Sequence, residues 1–528
     1  MKWLFNRWLA FAALAGALQT LTFAPLELWW LQPFTLAILF IVSFKSFNLT
    51  QAALAGFLFG LTHFLTGISW LYISLHDYGM MPAPLAVLGV FLLACYMALY
   101  PLLAALLTRW LGTSHSLPSA WSPLLFASAW FLTEMARGWV FTGFPWLAAG
   151  YAHTTGLLTG WATLVGVYGT GFIVALIAAY GAREILFSRL SRPRIAQNLL
   201  LLLFPIFVIG AIAQQLPKVR FVSDRPPYLN VRLLQGNVPQ SMKFDSATIV
   251  NAVQDYVQMA ANSATAPAGD LVVLPETALP VPAEQFPKAI EDLGAVAREK
   301  NAFILMGAPD HREGRWTNSV LLLGSDGVLQ PQRYDKQHLV PFGEFIPFGF
   351  RWFVQAMQMP LGDFARGAAE QAPFLIKGVR IAANICYEDV FGEELRNDAQ
   401  KADILLNLSN LAWFGRSWAM PQHLQIAQMR SIELGRPSLR STNTGVTAVI
   451  NAYGVVEQQL EINTRSYLDA KVRVASRDTL YLQIGDLPLL LFTALVLLQC
   501  WRTRKQRVVQ AVVGSEVIDV EFREISKE

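Results

Sequence analysis

The 528 residues are 54% hydrophobic and 15% charged, with a formal net charge of +4 and a mean hydropathy of +0.38. That is too apolar for an ordinary soluble chain, and the composition reads as a polytopic membrane protein. The small positive balance does not point to nucleic acid, because no basic stripe with interleaved aromatic residues occurs.

In chain order, eight stretches approach the ~20 apolar residues that cross a bilayer as a helix. They are residues 8–26, 28–44, 52–73, 84–108, 120–136, 160–181, 198–214 and 484–501. The first has no small-residue cleavage site before Pro25 and is expected to be a retained helix. Lys2 and Arg7 precede the first stretch, and Lys45 and Arg109 follow the second and fourth. Arg183, Arg189, Arg192 and Arg194 follow the sixth, and Arg502, Arg504, Lys505 and Arg507 follow the eighth. With eight spans all of these lie on one face, which the positive-inside rule makes cytoplasmic. The expected organisation is a membrane domain with seven transmembrane helices (1–214), an extracytoplasmic domain (215–483), an eighth helix (484–501) and a cytoplasmic tail (502–528). After Arg507 the tail is polar and charged, and it is expected to be loosely ordered.

The soluble region alternates. Strand-like runs at 229–234, 271–274, 303–306, 320–323, 381–385, 404–408 and 447–450 enclose stretches of helical spacing. These helical stretches carry Val250, Val253 and Val257; Ile290, Leu293, Val296 and Ala297; and Leu424, Ala427, Ser431 and Leu434, the last stopping at Gly435 and Pro437. A region of about 250 residues patterned this way makes one α/β domain of stacked helix and sheet layers.

Of the three cysteines, Cys95 and Cys500 fall in predicted spans, so Cys386 stands alone in the soluble region and no disulfide forms within it. A lone thiol outside the cytoplasm is exposed to oxidation; it is either a buried structural residue or a nucleophile. The run from Val379 to Asp389 ends an apolar strand on this thiol, and the N–H of the following Tyr387 is placed to serve an oxyanion hole. Glu276, closing Leu274-Pro275-Glu276, reads either as the base for the thiol or as a capping or salt-bridged carboxylate. Lys336, in Tyr334-Asp335-Lys336, reads either as the cation beside a developing oxyanion or as a solvated lysine. Glu388 and Asp389 by themselves oppose thiolate formation, which a cation such as Lys336 would offset. His338 and His423 invite a Cys/His dyad, although Glu276 is the better base. The seven histidines are scattered without metal-ligand spacing, and neither metal nor cofactor is expected. His63, Glu134 and Arg137 are polar groups in a costly place; Arg137 reads as a lipid-phosphate contact or as the i, i+3 partner of Glu134.

Leu274-Pro-Glu276, Tyr334-Asp-Lys336 and Asn384-Ile-Cys-Tyr-Glu-Asp389 resemble the Glu/Lys/Cys triad of the nitrilase superfamily, whose fold is an αββα sandwich. With Leu234 to Ser241, Lys336 to Glu344, Gly143-Phe-Pro-Trp146 and the membrane half, the chain resembles the bacterial apolipoprotein N-acyltransferase family over nearly its full length. One departure is Phe244, near Gln240, where a Trp often follows the Lys. The fold class implied is a polytopic α-helical membrane domain of about eight spans plus an α/β nitrilase-like αββα sandwich.

The resemblance implies a two-step acyl transfer. Cys386, deprotonated by Glu276, would take an acyl chain from a phospholipid as a thioester and pass it to the α-amino group of a lipoprotein's diacylglyceryl-cysteine. Lys336 and the Tyr387 amide would hold the oxyanion. Glu344 and Glu388 are expected to orient Lys336 and the amine, or else to be solvated acids. The partners implied are the phospholipid donor, the lipoprotein acceptor and the bilayer, with no nucleic acid. The enzyme is expected to be a monomer of the bacterial inner membrane, with a periplasmic catalytic domain and both termini cytoplasmic. Two aromatic stretches, Phe342, Phe345, Ile346, Phe348, Phe350, Trp352 and Phe353, and then Trp413 and Phe414, are expected to form a lid and acyl-chain portal, or else ordinary core. A membrane-tethered amidohydrolase using water is the alternative activity. A transporter or receptor with a dead nitrilase-like domain is the non-enzyme reading, and it predicts loss of at least one triad residue.

Overall fold

The computed structural model describes residues 2–46, 48–112, 121–186, 190–215, 227–239, 246–262, 269–312, 314–347, 349, 351 and 364–525. Its first half is helical: α1 (Lys2–Gln19), α2 (Gln32–Lys45), α3 (Leu49–Gly67), α4 (Ala83–Leu111), α5 (Ser122–Arg137), α6 (Ala162–Leu186) and α7 (Arg192–Gln215). Local chemistry sets several starts. The Asn48 side chain caps α3 by accepting from the Gln51 N–H at 2.9 Å, and α2, α4 and α5 each carry a proline in the first turn, where its missing N–H costs nothing. α3 and α4 approach closely because Gly56 and Gly60 have no side chain; a Cβ on Gly56 would lie 2.5 Å from the Pro101 carbonyl oxygen.

Each of the eight predicted stretches falls on a helix, and among the described residues α3, α4, α6 and α7 are long and apolar enough to cross a membrane by length and composition. At 14 residues α2 rises only ~21 Å against a ~30 Å hydrocarbon core. The stretches 8–26 and 52–73 overrun their helices, which end at Gln19 and Gly67 and give way to short irregular turns. The last predicted span lies in α12 (Leu487–Ile525), whose helical backbone continues through the tail. No proline interrupts that run after Pro488, in the first turn.

The second half holds β1 (Tyr228–Gln235), α8 (Ser246–Ala261), β2 (Leu271–Val273), α9 (Pro287–Lys300), β3 (Phe303–Arg312), β4 (Arg315–Leu323), β5 (Leu329–Asp335), β6 (Phe374–Ile376), β7 (Val379–Ile385), α10 (Gly392–Lys401), β8 (Ile404–Ser409), α11 (Ala419–Leu434), β9 (Ser438–Thr442), β10 (Ala448–Ile450), β11 (Val456–Gln459) and β12 (Ser466–Arg473). Two six-stranded sheets form, in the orders β12-β1-β2-β3-β4-β5 and β11-β10-β9-β8-β7-β6. Strands β1–β2–β3 and β7–β8–β9 are parallel at the centre of each sheet, with antiparallel pairs outside them.

Alternation along the strands builds the layers. Leu233, Val273 and Leu305 face the second sheet, packing with Ile381, Ile385 and Leu406, while Leu234, Val272 and Ile304 face outward onto Val253 of α8 and Leu293 of α9. Ala382 and Leu405 carry Leu395 and Ala399 of α10 and Leu434 of α11 on the opposite side. The result is helix, sheet, sheet, helix.

α11 is buried on nearly every side because it is wedged between the second sheet and the membrane domain. Its amides and charges meet that domain directly. Gln425 accepts from the Ala24 N–H at 3.1 Å, Gln422 accepts from the indoles of Trp70 and Trp146 at 3.2 and 2.8 Å, and Glu433 accepts from the Val167 N–H at 3.0 Å.

Candidate active site

Glu276 follows β2 at the carboxyl end of the parallel strands, and its backbone lies hard against β3: a Cβ on Gly307 would sit 2.6 Å from the Glu276 Cα. Its carboxylate is nearly buried, so its oxygens need partners. Oε1 accepts from Asn318 Nδ2 at 2.9 Å and lies 3.6 Å from the Lys336 ammonium, and Oε2 accepts from the Asn410 N–H at 2.8 Å. Lys336 follows β5 directly and is 1% exposed. It donates to Glu344 at 2.9 Å, and Glu344 also accepts from Asn318 Nδ2 at 2.8 Å and from the Val340 N–H at 2.8 Å. One ammonium and one amide thus stand between two carboxylates. Burial alone would lower the Lys336 ammonium, but Glu344 and then Glu276 hold it above its ordinary value, so it remains charged.

Cys386 ends β7 and opens a short helical turn, Cys386–Val390. Its φ of +55° is left-handed, a conformation that a residue with a side chain adopts only at a cost of ~1–3 kcal/mol and that clusters at functional sites. Burial pushes the thiol up, the Glu276 charge adds to this, and Lys336 and the Asn410 N–H draw it back down. The groups acting on the sulfur are therefore the same ones that bind Glu276.

The turn is tied in place by its acids. Glu388 accepts from the Ile385 N–H at 2.6 Å, from Tyr334 Oη at 2.9 Å, and from the N–H groups of Gln337 and His338 at 2.6 and 3.0 Å. It thereby joins the Cys386 turn to the segment that carries Lys336. Burial pushes its carboxyl up to about 7, against Lys336 and these donors. Asp389 accepts from His423 Nε2 at 2.7 Å and Arg440 Nη1 at 2.6 Å; burial works against its charge, but these two partners hold it below the usual range.

The remaining predicted residues divide. Tyr387 points its phenol into the membrane domain, donating to the Gly143 carbonyl at 3.1 Å, and its ring lies 6.3 Å from Phe144. Trp413 is half-exposed on the turn Ala412–Phe414, where its carbonyl accepts from Ser74 at 2.7 Å. Phe414 packs edge-on against Trp70 at 4.8 Å, which is core rather than portal. Phe342 is 37% exposed and Phe345 lies 5.7 Å beneath the Arg366 guanidinium; Phe348, Phe350, Trp352, Phe353, Gln240, Ser241 and Phe244 lie outside the described residues. Neither histidine forms the dyad. His338 bonds Glu394 at 3.0 Å and stacks on Phe391, and both ring nitrogens of His423 are taken by Asp389 and Arg440. Arg137 is fully engaged inside the protein, 3.5 Å from Glu134 and donating to the carbonyls of Phe144 and Trp146 at 2.8 and 2.6 Å, so the pairing reading holds and the lipid-phosphate reading does not.

Asn318 and Asn410 were missed by the sequence reading. Nothing local marks either one: Asn318 lies in the polar Thr317-Asn318-Ser319 stretch of β4, before its apolar end. Among the described residues no group of three or more metal-ligating side chains occurs.

Comparison with known proteins follows the same division of the chain. A family model described as Apolipoprotein N-acyltransferase N-terminal domain matches residues 15–180, and one described as Carbon-nitrogen hydrolase matches residues 230–480. Apolipoprotein N-acyltransferase of Ralstonia nicotianae is 43% identical over 505 residues, covering 94% of this chain and 93% of that one. The Bordetella bronchiseptica protein of that name is 40% identical over 529 residues, covering 93% and 95%, and the Shewanella oneidensis one is 36% identical over 514 residues, covering 94% and 96%. Both halves match in their expected order, and the relatives are matched over nearly their whole length, so the chain belongs to the apolipoprotein N-acyltransferase family.

Proposed function

We propose that the protein transfers an acyl chain from phospholipid to the N-terminal α-amino group of the diacylglyceryl-cysteine of apolipoproteins, with Cys386 as nucleophile, Glu276 as base and Lys336 as oxyanion cation. The observation that supports the residue assignment is the shared network around Glu276, which lies 3.6 Å from the Lys336 ammonium and accepts from the Asn410 N–H at 2.8 Å, together with the left-handed Cys386 that follows β7 and whose thiol the same groups influence. Glu276 takes the thiol proton as sulfur attacks the ester carbonyl, and the oxyanion forms against the Lys336 ammonium and the Tyr387 amide. The C–O bond then breaks, Glu276 returns the proton to the departing lysophospholipid oxygen, and a thioester remains. In the second half the acceptor amine attacks and Glu276 takes its proton, the C–S bond breaks, and Glu276 returns that proton to the departing sulfur, which restores the thiol. Glu344 and Glu388 fix Lys336 and the nucleophile turn, and Trp413 offers the acyl chains an apolar face.

The membrane domain fits this chemistry because both substrates carry acyl chains, and each CH₂ drawn into water costs about 0.8 kcal/mol. The proposed arrangement is a membrane domain over 1–214, a periplasmic catalytic domain over 215–483, a final span over 484–501 and cytoplasmic termini, in the bacterial inner membrane and as a monomer.

The test is product analysis with phospholipid and a diacylglyceryl peptide. Lysophospholipid and N-acylated peptide are expected in equal amounts, with parallel double-reciprocal plots and neither product from Cys386→Ala. Fatty acid released at the same rate with or without peptide would contradict transfer and favour an amidohydrolase-type reaction with water.

A further inference from the structure

Three contacts reach from the membrane domain to the turn that carries Cys386, and none belongs to the triad. The Tyr387 hydroxyl donates to the Gly143 carbonyl at 3.1 Å, and Tyr151 donates to the Val390 carbonyl at 3.1 Å. The third runs through a ring of buried polar groups. Asp389 accepts from His423 Nε2 at 2.7 Å and from Arg440 Nη1 at 2.6 Å, and Arg440 Nη2 reaches His423 Nδ1 at 3.0 Å, closing the ring. None of the three side chains is more than 3% exposed. A guanidinium has only hydrogens to offer, so His423 Nδ1 is the acceptor and Nε2 carries the proton given to Asp389. On its face, the His423 ring stacks on Trp146 at 5.6 Å between centroids and 22° between planes. Trp146 is fixed in turn, its indole donating to Gln422, the neighbour of His423, and its carbonyl accepting from Arg137. Gly143 and Trp146 therefore grip the turn at two points from one short loop.

We propose that His423 is a positioning residue: Trp146 sets its ring, its Nε2–H holds Asp389, and Asp389 keeps the left-handed Cys386 turn aimed at the Glu276–Lys336 pair. The left-handed φ of Cys386 persists only while its surroundings over-determine it, and the ring is one of the constraints that do so. On this account the membrane domain has two roles, presenting lipid and holding the nucleophile in register. The inference rests on Cys386 being the nucleophile.

The experiment measures the single-turnover rate at which the full-length protein in detergent gains an acyl group from phospholipid, followed by intact mass. His423→Ala is expected to slow acylation roughly ten- to a hundredfold at unchanged KM for phospholipid, the loss that a misplacement of ~1 Å produces. His423→Gln, which retains a donor for Asp389 and an acceptor for Arg440, is expected to recover to within about threefold of wild type. Trp146→Ala should match His423→Ala, and the double variant should be no slower than either, because both act along one path. His423→Ala acylating at the wild-type rate, a Gln variant no better than Ala, or a multiplicative loss in the double variant would each overturn the proposal. Should the alanine variants not accumulate as folded protein, Trp146→Leu, which covers His423 without a planar ring, carries the test: slowed acylation supports positioning and a wild-type rate overturns it. Failure of the wild type itself to acquire an acyl group would instead count against Cys386 as nucleophile.

Discussion

Asn318 spends both amide hydrogens on carboxylates, one on Glu276 and one on Glu344, at 2.9 and 2.8 Å. Without it Glu276 Oε1 would keep only the Lys336 ammonium at 3.6 Å, and a buried charge short of a donor relaxes toward whatever donor it can find. Asn318→Leu is therefore expected to lower kcat at least about tenfold, each hydrogen bond to a charged group being worth ~1.5–3 kcal/mol. Asn318→Asp should be worse, since it adds a third carboxylate beside one cation. Steady-state transfer assays decide this; a Leu variant with wild-type kcat would contradict the role. At this scale the sequence was informative on position: Glu276, Lys336 and Cys386 each follow a strand, as their motifs indicate. It was silent on Asn318 and Asn410, because a hydrogen bond between distant strands leaves no local pattern. His423 was visible in the sequence as a candidate for the wrong role: its type suggested a base, but its partners Asp389 and Arg440 come from elements 34 and 17 residues away.

Among the elements, α10 escaped the sequence reading because Gly392–Lys401 contains just two strongly helix-favouring apolar positions, Leu395 and Ala399, for a period to show in. Strands β6, β9, β11 and β12 were missed for related reasons. β12 carries polar and charged residues throughout, β6 and β11 are only three and four residues long, and β9, Ser438–Thr442, is wholly buried though mostly polar. The apolar runs of β1, β2, β3, β7 and β8 were legible because buried parallel strands are continuously hydrophobic. α10 also yields a pH prediction. Asp398 lies in its last turn, where the helix dipole opposes a negative charge, and burial pushes its carboxyl from 3.8 up to about 6 although Lys401 draws it down. The folded protein thus holds this proton more tightly than the unfolded chain, so the associated stability is fully present below pH 3.8 and is lost as pH rises through about 6. Asp398→Asn is expected to melt with the wild type near pH 4 and above it at pH 7.5. Equal melting temperatures at both values would contradict this.

For the whole molecule, composition and hydropathy marked out the helical half, but apolar content cannot separate a membrane-crossing helix from a short buried helix or an irregular apolar turn, and the segments after Gln19 and Gly67 show that ambiguity. Nor could it show that α11 ties the two halves together. The proposed topology has a direct check. In single-cysteine proteins lacking the three native thiols, Lys288→Cys on α9 should react with a membrane-impermeant maleimide in intact spheroplasts, and Lys505→Cys only after permeabilisation. The reverse pattern would invert the arrangement.

The central claim is that Cys386 carries the acyl group between two lipids, and intact-mass spectrometry of the detergent-purified protein after incubation with phospholipid tests it most directly. The account predicts a gain of one acyl chain, released by hydroxylamine, in the wild type and none in Cys386→Ala. An unmodified wild type whose Cys386 still reacts with small thiol reagents, or an adduct that survives in Cys386→Ala, would contradict it.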